Sequence, residues 1–176
     1  GVLGNDVEYV IIDEGQTAAS ASQAIEDLIE VGVDAIMGPA SSNTALGSLD
    51  VAVSNGILSC SPTATAIALD DFPDDGLFFR SIATDSLQAA AIAREAQATG
   101  ASSVAIIHVD DAYGRPYAEA VANALGDDIA VETIAVPVDD DDFTDELDLL
   151  VELDPQVVVS VGNGQTIAAS LQAMGE

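Results

Sequence analysis

The sequence predicts an α/β fold in two lobes, each a parallel sheet flanked by helices. Two observations predict it. Short apolar runs rich in β-branched residues alternate with stretches of helical period, the pattern of parallel strands joined by crossover helices. The alternation also runs twice, a β-α-β-α-β series on either side of a break at residues 81–84. The expected organisation is a first lobe over residues 1–82 and a second over residues 83–176, joined by a crossing strand.

The strands are placed at residues 8–12, 35–38, 57–60, 77–81, 104–108, 131–136 and 157–161, each short, apolar and bounded by turn residues. Between the first two, Ala21, Ile25, Leu28 and Ile29 share one helix face while Glu26, Asp27 and Glu30 occupy the other. An irregular loop with Asp and Pro fills residues 70–76, and a helix over 85–99 opens the second series. Phe143, Leu147 and Leu150 form a later apolar helix face. The Asp run 139–142 precedes that helix, where carboxylates favour the positive end of the macrodipole and one serves as N-cap. Four adjacent Asp lack the spaced ligands of a calcium loop.

Charge excludes several functions. The chain carries 31 Asp and Glu against three basic residues, Arg80, Arg94 and Arg115, for a net charge of −28. Phosphate polymers and anionic membrane surfaces need a basic face, so a nucleic-acid partner is excluded and a membrane surface disfavoured. Repulsion at this charge density destabilises a compact chain in dilute buffer, and molar salt screens it. We therefore read the composition as that of an extreme halophile's protein. Cys60 is alone, in the apolar run Ile57-Leu58-Ser59-Cys60, and reads as a small buried residue. With no Cys or His cluster there is no metal framework, and the residues imply no cofactor.

In parallel α/β sheets, ligands sit beyond the carboxyl ends of the strands. Three strand ends carry suitable turns: Gly38-Pro39-Ala40-Ser41-Ser42-Asn43-Thr44, Ser61-Pro62-Thr63-Ala64-Thr65, and Asp110-Asp111-Ala112-Tyr113-Gly114. Hydroxyls and amides there make a neutral cradle for a carboxylate, which needs no Lys or Arg. Ser42 or Asn43 is expected to cap the following helix. His108 reads as a packed histidine, and Arg80 as a structural anchor for an acid such as Asp85. Neither a Gly-x-Ser-x-Gly elbow nor a phosphate loop is present, and Gly162-Asn163-Gly164 is too short to imply a dinucleotide, so an enzyme is not expected.

These stretches resemble the extracellular solute-binding proteins of branched-chain amino-acid type ABC transporters, the leucine/isoleucine/valine-binding proteins of type I periplasmic-binding fold. The resemblance runs through Gly1-Val2-Leu3-Gly4, Ile12-Asp13, Gly32-Val33-Asp34-Ala35-Ile36-Met37-Gly38-Pro39, Ser42, Ser61-Pro62-Thr63-Ala64-Thr65, Phe79-Arg80, Asp85 with Gln88, and Asp110 through Tyr113-Gly114. It implies that the hydroxyls of Ser42 and Thr65 bind a ligand carboxylate, with backbone groups of Thr63 and Ala64 contributing. It implies that Tyr113 closes over the ligand from the second lobe. Asn163 stands where leucine-type members often place an aromatic, so a smaller or more polar solute fits as well as a branched-chain amino acid.

The resemblance further implies a small-molecule ligand, a membrane permease partner and an extracellular, lipid-anchored location. A ligand sensor of the same fold is the alternative. It implies strand order 2-1-3 in each lobe and an internal fragment lacking the first strand and helix. The strands at 8–12 and 35–38 are then expected either to pair directly or to be paired by a second chain in a dimer.

Overall fold

The computed structural model describes residues 3–138, 142–162, 164, 167, 168, 171 and 172. The chain divides into two compact units, Gly1–Ile82 and Ala83–Glu176.

The first unit contains α1 (Ala18–Val31), β1 (Ala35–Met37), α2 (Ser42–Ser54), β2 (Leu58–Ser61), a 3-10 turn at Ile67–Leu69, and β3 (Phe78–Arg80). The three strands form a parallel sheet in the order β1-β2-β3, with Ile36 opposite Ser59 and Cys60 opposite Phe79. A reciprocal box starts α1: Thr17 Oγ1 accepts from the Ser20 amide, and the Ser20 hydroxyl accepts from the Thr17 amide. Gly32, at φ 88°, ends the helix in the left-handed region. The apolar stripe of α1 packs Ile25 against Ile36 and Ala52. Gly47 lets α2 cross α1 closely, because a Cβ there would lie 2.3 Å from that of Ala18.

One expected strand does not form. Residues 8–12 run without regular structure, and Tyr9 and Ile11 are exposed. The direct pairing of this segment with β1 therefore fails: β1 takes its ladder from β2. An apolar run satisfies the strand pattern, but a strand needs a neighbour for its amides and carbonyls, and periodicity does not supply one. Cys60 is half-buried rather than buried, since its face of the three-stranded sheet is partly open.

The second unit contains α3 (Asp85–Ala98), β4 (Ser103–Val109), α4 (Gly114–Leu125), β5 (Ala130–Val136), α5 (Thr144–Leu153) and β6 (Val157–Val161). Its parallel sheet has the order β5-β4-β6, the expected 2-1-3 arrangement. Central β4 pairs on both sides, Ile106 lying opposite Thr133 and Val159. Alternate residues of β4 serve opposite layers. Val104 and Ile106 pack on Ala89, Ala93 and Ala96 of α3 and Tyr117, Ala118 and Val121 of α4. Ala105 and Ile107 pack on Ile134, Val136 and Leu150, with Phe143 and Leu147 beside them. Each such fully buried Val, Leu or Ile contributes about 1.5–3 kcal/mol.

The N-cap of α5 is Phe143, without a side-chain capping bond, rather than an Asp of the run. Asp142, one residue earlier, accepts from the Thr144 hydroxyl and from its amide at 3.1 Å, and these bonds, the hydroxyl's first, hold its pKa below the ordinary value. The remainder of the Asp run, 139–141, lies outside the described residues.

Candidate functional site: two strand-end clusters

In the first unit, the loops after β1 and β2 are laced together by side chains. Ser61 is the hub. Its hydroxyl donates to the Pro39 carbonyl at 2.5 Å and accepts from the amides of Thr63 at 3.4 Å and Ala64 at 3.0 Å. The Thr63 hydroxyl donates to the Ala40 carbonyl at 2.7 Å. Thr63 and Ala64 thus build the loop, with their amides taken by Ser61 rather than left to a ligand.

Ser42 and Thr65, both buried, lie together. Ser42 Oγ accepts from the amides of Thr65 and Ala66, each at 3.1 Å. A hydroxyl has two lone pairs and one proton. The two amides take the lone pairs, so the proton of Ser42 is what the side chain offers to an acceptor. That arrangement suits an anion.

The cap of α2 differs from expectation. The N-cap residue is Ser41, whose side chain makes no capping bond. Glu14 does the work from 26 residues upstream: its carboxylate accepts from the amides of Ala40 at 2.8 Å and Ser41 at 3.1 Å and from the Thr44 hydroxyl at 2.8 Å. A carboxylate on free amides at a helix start is favourable on both hydrogen-bond and dipole grounds. Nothing in the sequence distinguished Glu14 among so many carboxylates, although its place just after an apolar run and before a helix was a weak signal.

Arg80 also departs from expectation. Its ion pair is with Asp70, not Asp85. Its Nη1 donates to the carbonyls of Thr65 and Ala66, each at 3.3 Å, so the guanidinium lies directly behind the Ser42–Thr65 cluster.

In the second unit, Asp111 begins α4, accepting from the amides of Tyr113 at 2.9 Å and Gly114 at 2.7 Å. Gly114 starts the helix against the end of β4, where an added Cβ would lie 2.1 Å from the Val109 carbonyl oxygen. This turn fixes half-buried Tyr113, whose ring meets that of Tyr117 edge to face at 5.9 Å. His108 is buried with Nδ1 3.0 Å from the Val109 carbonyl, in keeping with a packed role. Asp85, buried at the start of α3, accepts from the Gln88 side chain. Tyr117, which the sequence reading did not single out, belongs to this cluster. Asn163 lies outside the described residues.

Burial pushes the Tyr117 phenol up to about 12, with the charge of Asp85 and then Tyr113 adding to it. Burial raises Tyr113 too, helped by Asp85 and Asp111. A phenol whose folded pKa exceeds its unfolded value contributes stability below about pH 10 and loses it as pH rises towards 12. The second unit is therefore expected to weaken across that window. Denaturant titrations from pH 9 to 12 check this: the decline becomes shallower in Tyr117→Phe, and an identical decline refutes the coupling.

The family profile described as periplasmic binding protein matches residues 1–176. The chain belongs to the periplasmic binding protein family. It is 29% identical over 149 residues to the Leu/Ile/Val-binding protein BraC3 of Rhizobium johnstonii, covering 82% of this chain and 40% of that protein. It is 33% identical over 158 residues to BasB of Halobacterium salinarum, a substrate-binding protein of a chemotactic signal transduction system, covering 80% of this chain and 38% of that protein. The fold matches that of the leucine binding protein LivK from Thermotoga maritima with a TM-score of 0.89 at 24% identity, over all of this chain and 52% of that one. The chain thus spans about two fifths of the curated relatives it matches and about half of that solved structure.

Proposed function

We propose that this chain is part of the extracellular substrate-binding component of an ABC importer, and that it binds an amino acid or a related small carboxylate without chemical turnover. The reading rests chiefly on Ser42, a buried hydroxyl whose lone pairs are taken by the Thr65 and Ala66 amides and whose proton is left to donate. Ser42 and Thr65 receive the carboxylate, on a loop that Thr63 and Ala64 build by donating their amides to Ser61, and Tyr113 is a further ligand contact. The name of BraC3 supports branched-chain amino acids among the candidates. Presentation to a membrane permease and lipid anchoring at the cell surface complete the proposal.

Thermal-shift screening of amino acids in molar salt tests it. A solute at a hundred times its Kd stabilises the native state by about 2.7 kcal/mol, a readable rise in Tm. Ser42→Ala is expected to lower affinity roughly 10- to 100-fold, the range for a hydrogen bond to a charged group. Tyr113→Ala is expected to lower it as well. Unchanged affinity in both variants, measured by calorimetry, overturns the site.

A second reading has one specific observation behind it: BasB belongs to a chemotactic signal transduction system. Under that reading the same solute site feeds a receptor rather than a permease. Deleting the gene and measuring both uptake and chemotaxis towards the identified solute separates the two.

A further inference from the structure

We propose that Arg80 is a positioning residue that makes the Ser42 hydroxyl selective for an anionic group, acting through the peptide bond between Thr65 and Ala66. The inference rests on the solute-binding reading above and deepens it. Arg80 is the one basic residue of the first unit; Arg94 and Arg115 belong to the second. Its side chain is 12% exposed. It therefore acts at short range rather than through solvent.

The route is continuous. Arg80 Nη1 donates to the Thr65 carbonyl at 3.3 Å, the oxygen end of the Thr65–Ala66 peptide. The nitrogen end of the same peptide donates to Ser42 Oγ at 3.1 Å. A cation at the oxygen polarises the peptide and strengthens its N–H as a donor; a hydroxyl oxygen that accepts more strongly becomes a stronger donor in turn. Positive charge thus reaches the Ser42 proton through two hydrogen bonds, with no cation in the binding loop itself. The second Nη1 bond, to the Ala66 carbonyl, and the Asp70 ion pair fix the planar guanidinium in place. Lys has no such fork and cannot reproduce all three contacts. The arrangement favours a carboxylate over its neutral amide at Ser42.

Calorimetry in molar salt on the whole protein, with L-leucine and L-leucinamide as probes, tests the proposal. Arg80→Gln is expected to weaken leucine about tenfold and leucinamide by no more than about twofold. Arg80→Lys falls between the wild type and Arg80→Gln. In a Ser42→Ala background the Arg80→Gln effect on leucine shrinks to about twofold or less, because the relay has lost its terminus. Wild-type leucine affinity in Arg80→Gln, equal losses for both probes, or a full loss persisting in Ser42→Ala each overturn the relay.

If Arg80→Gln does not fold, Arg80→Lys carries the same comparison: about threefold loss for leucine alone supports the proposal, and equal losses overturn it. If the unsubstituted protein takes up no leucine, the reading of the solute class fails, and the relay is judged without solute. Hydrogen exchange of the Ala66 amide is then expected to quicken about tenfold in Arg80→Lys. Unchanged exchange there overturns it.

Discussion

Gly114→Ala is expected to weaken the second unit by about 3 kcal/mol, at the upper end of what a forced extra methyl group does in a packed interior. The reason is local. Position 114 opens α4 directly behind the end of β4, and a Cβ there would sit 2.1 Å from the Val109 carbonyl oxygen and 2.7 Å from Val109 Cγ1. The backbone oxygen belongs to the central strand and cannot retreat without loosening the ladders to β5 and β6. Movement of the helix instead pulls the Tyr113 and Gly114 amides from Asp111. Either response displaces Tyr113. Denaturant unfolding in molar salt measures the effect: the midpoint drops at unchanged slope. A midpoint equal to wild type means that the turn has slack these distances deny.

Withdrawal of salt is expected to have the other large effect. Arg80 pairs with Asp70 and Arg115 with Asp110, against 31 acidic residues in the sequence. With three cations in the sequence, most carboxylates have no positive charge to pair with. Their repulsion reaches about 30 Å at 10 mM salt and about 3 Å at 1 M. A loss of about 5 kcal/mol, the lower end of ordinary domain stability, lowers Tm by roughly 10–20 °C at this length. Circular-dichroism melts from molar to millimolar KCl check it. A sucrose series at low ionic strength separates screening from preferential exclusion, because sucrose strengthens burial without shielding charge. If sucrose replaces KCl fully, repulsion is not the cause.

Much of the fold was legible because its signals are local. Six of the seven expected strands form within a residue or two of their expected ends. The exception, residues 8–12, has the composition of a strand and no ladder, which depends on a partner that composition does not reveal. The candidate site was legible only so far as hydroxyls at strand ends mark it: the Thr65 amide donates to the Ser42 hydroxyl across 23 residues of sequence. What escaped were the groups behind them. Glu14 is one acid among many until the fold brings it to α2, and Arg80 shows its partners only when the loop at Asp70 is in place. Such links join distant segments, and no spacing rule in one sequence encodes them.

The Ser61 hub has a consequence for how this loop behaves in molar salt. Its lacing of Pro39, Thr63 and Ala64 is made of hydroxyls and peptide groups at touching distance. Dissolved ions blunt attraction between separated charges, but they do not slip between atoms already in contact. A loop braced by neutral dipoles keeps its shape where long-range electrostatic steering has vanished.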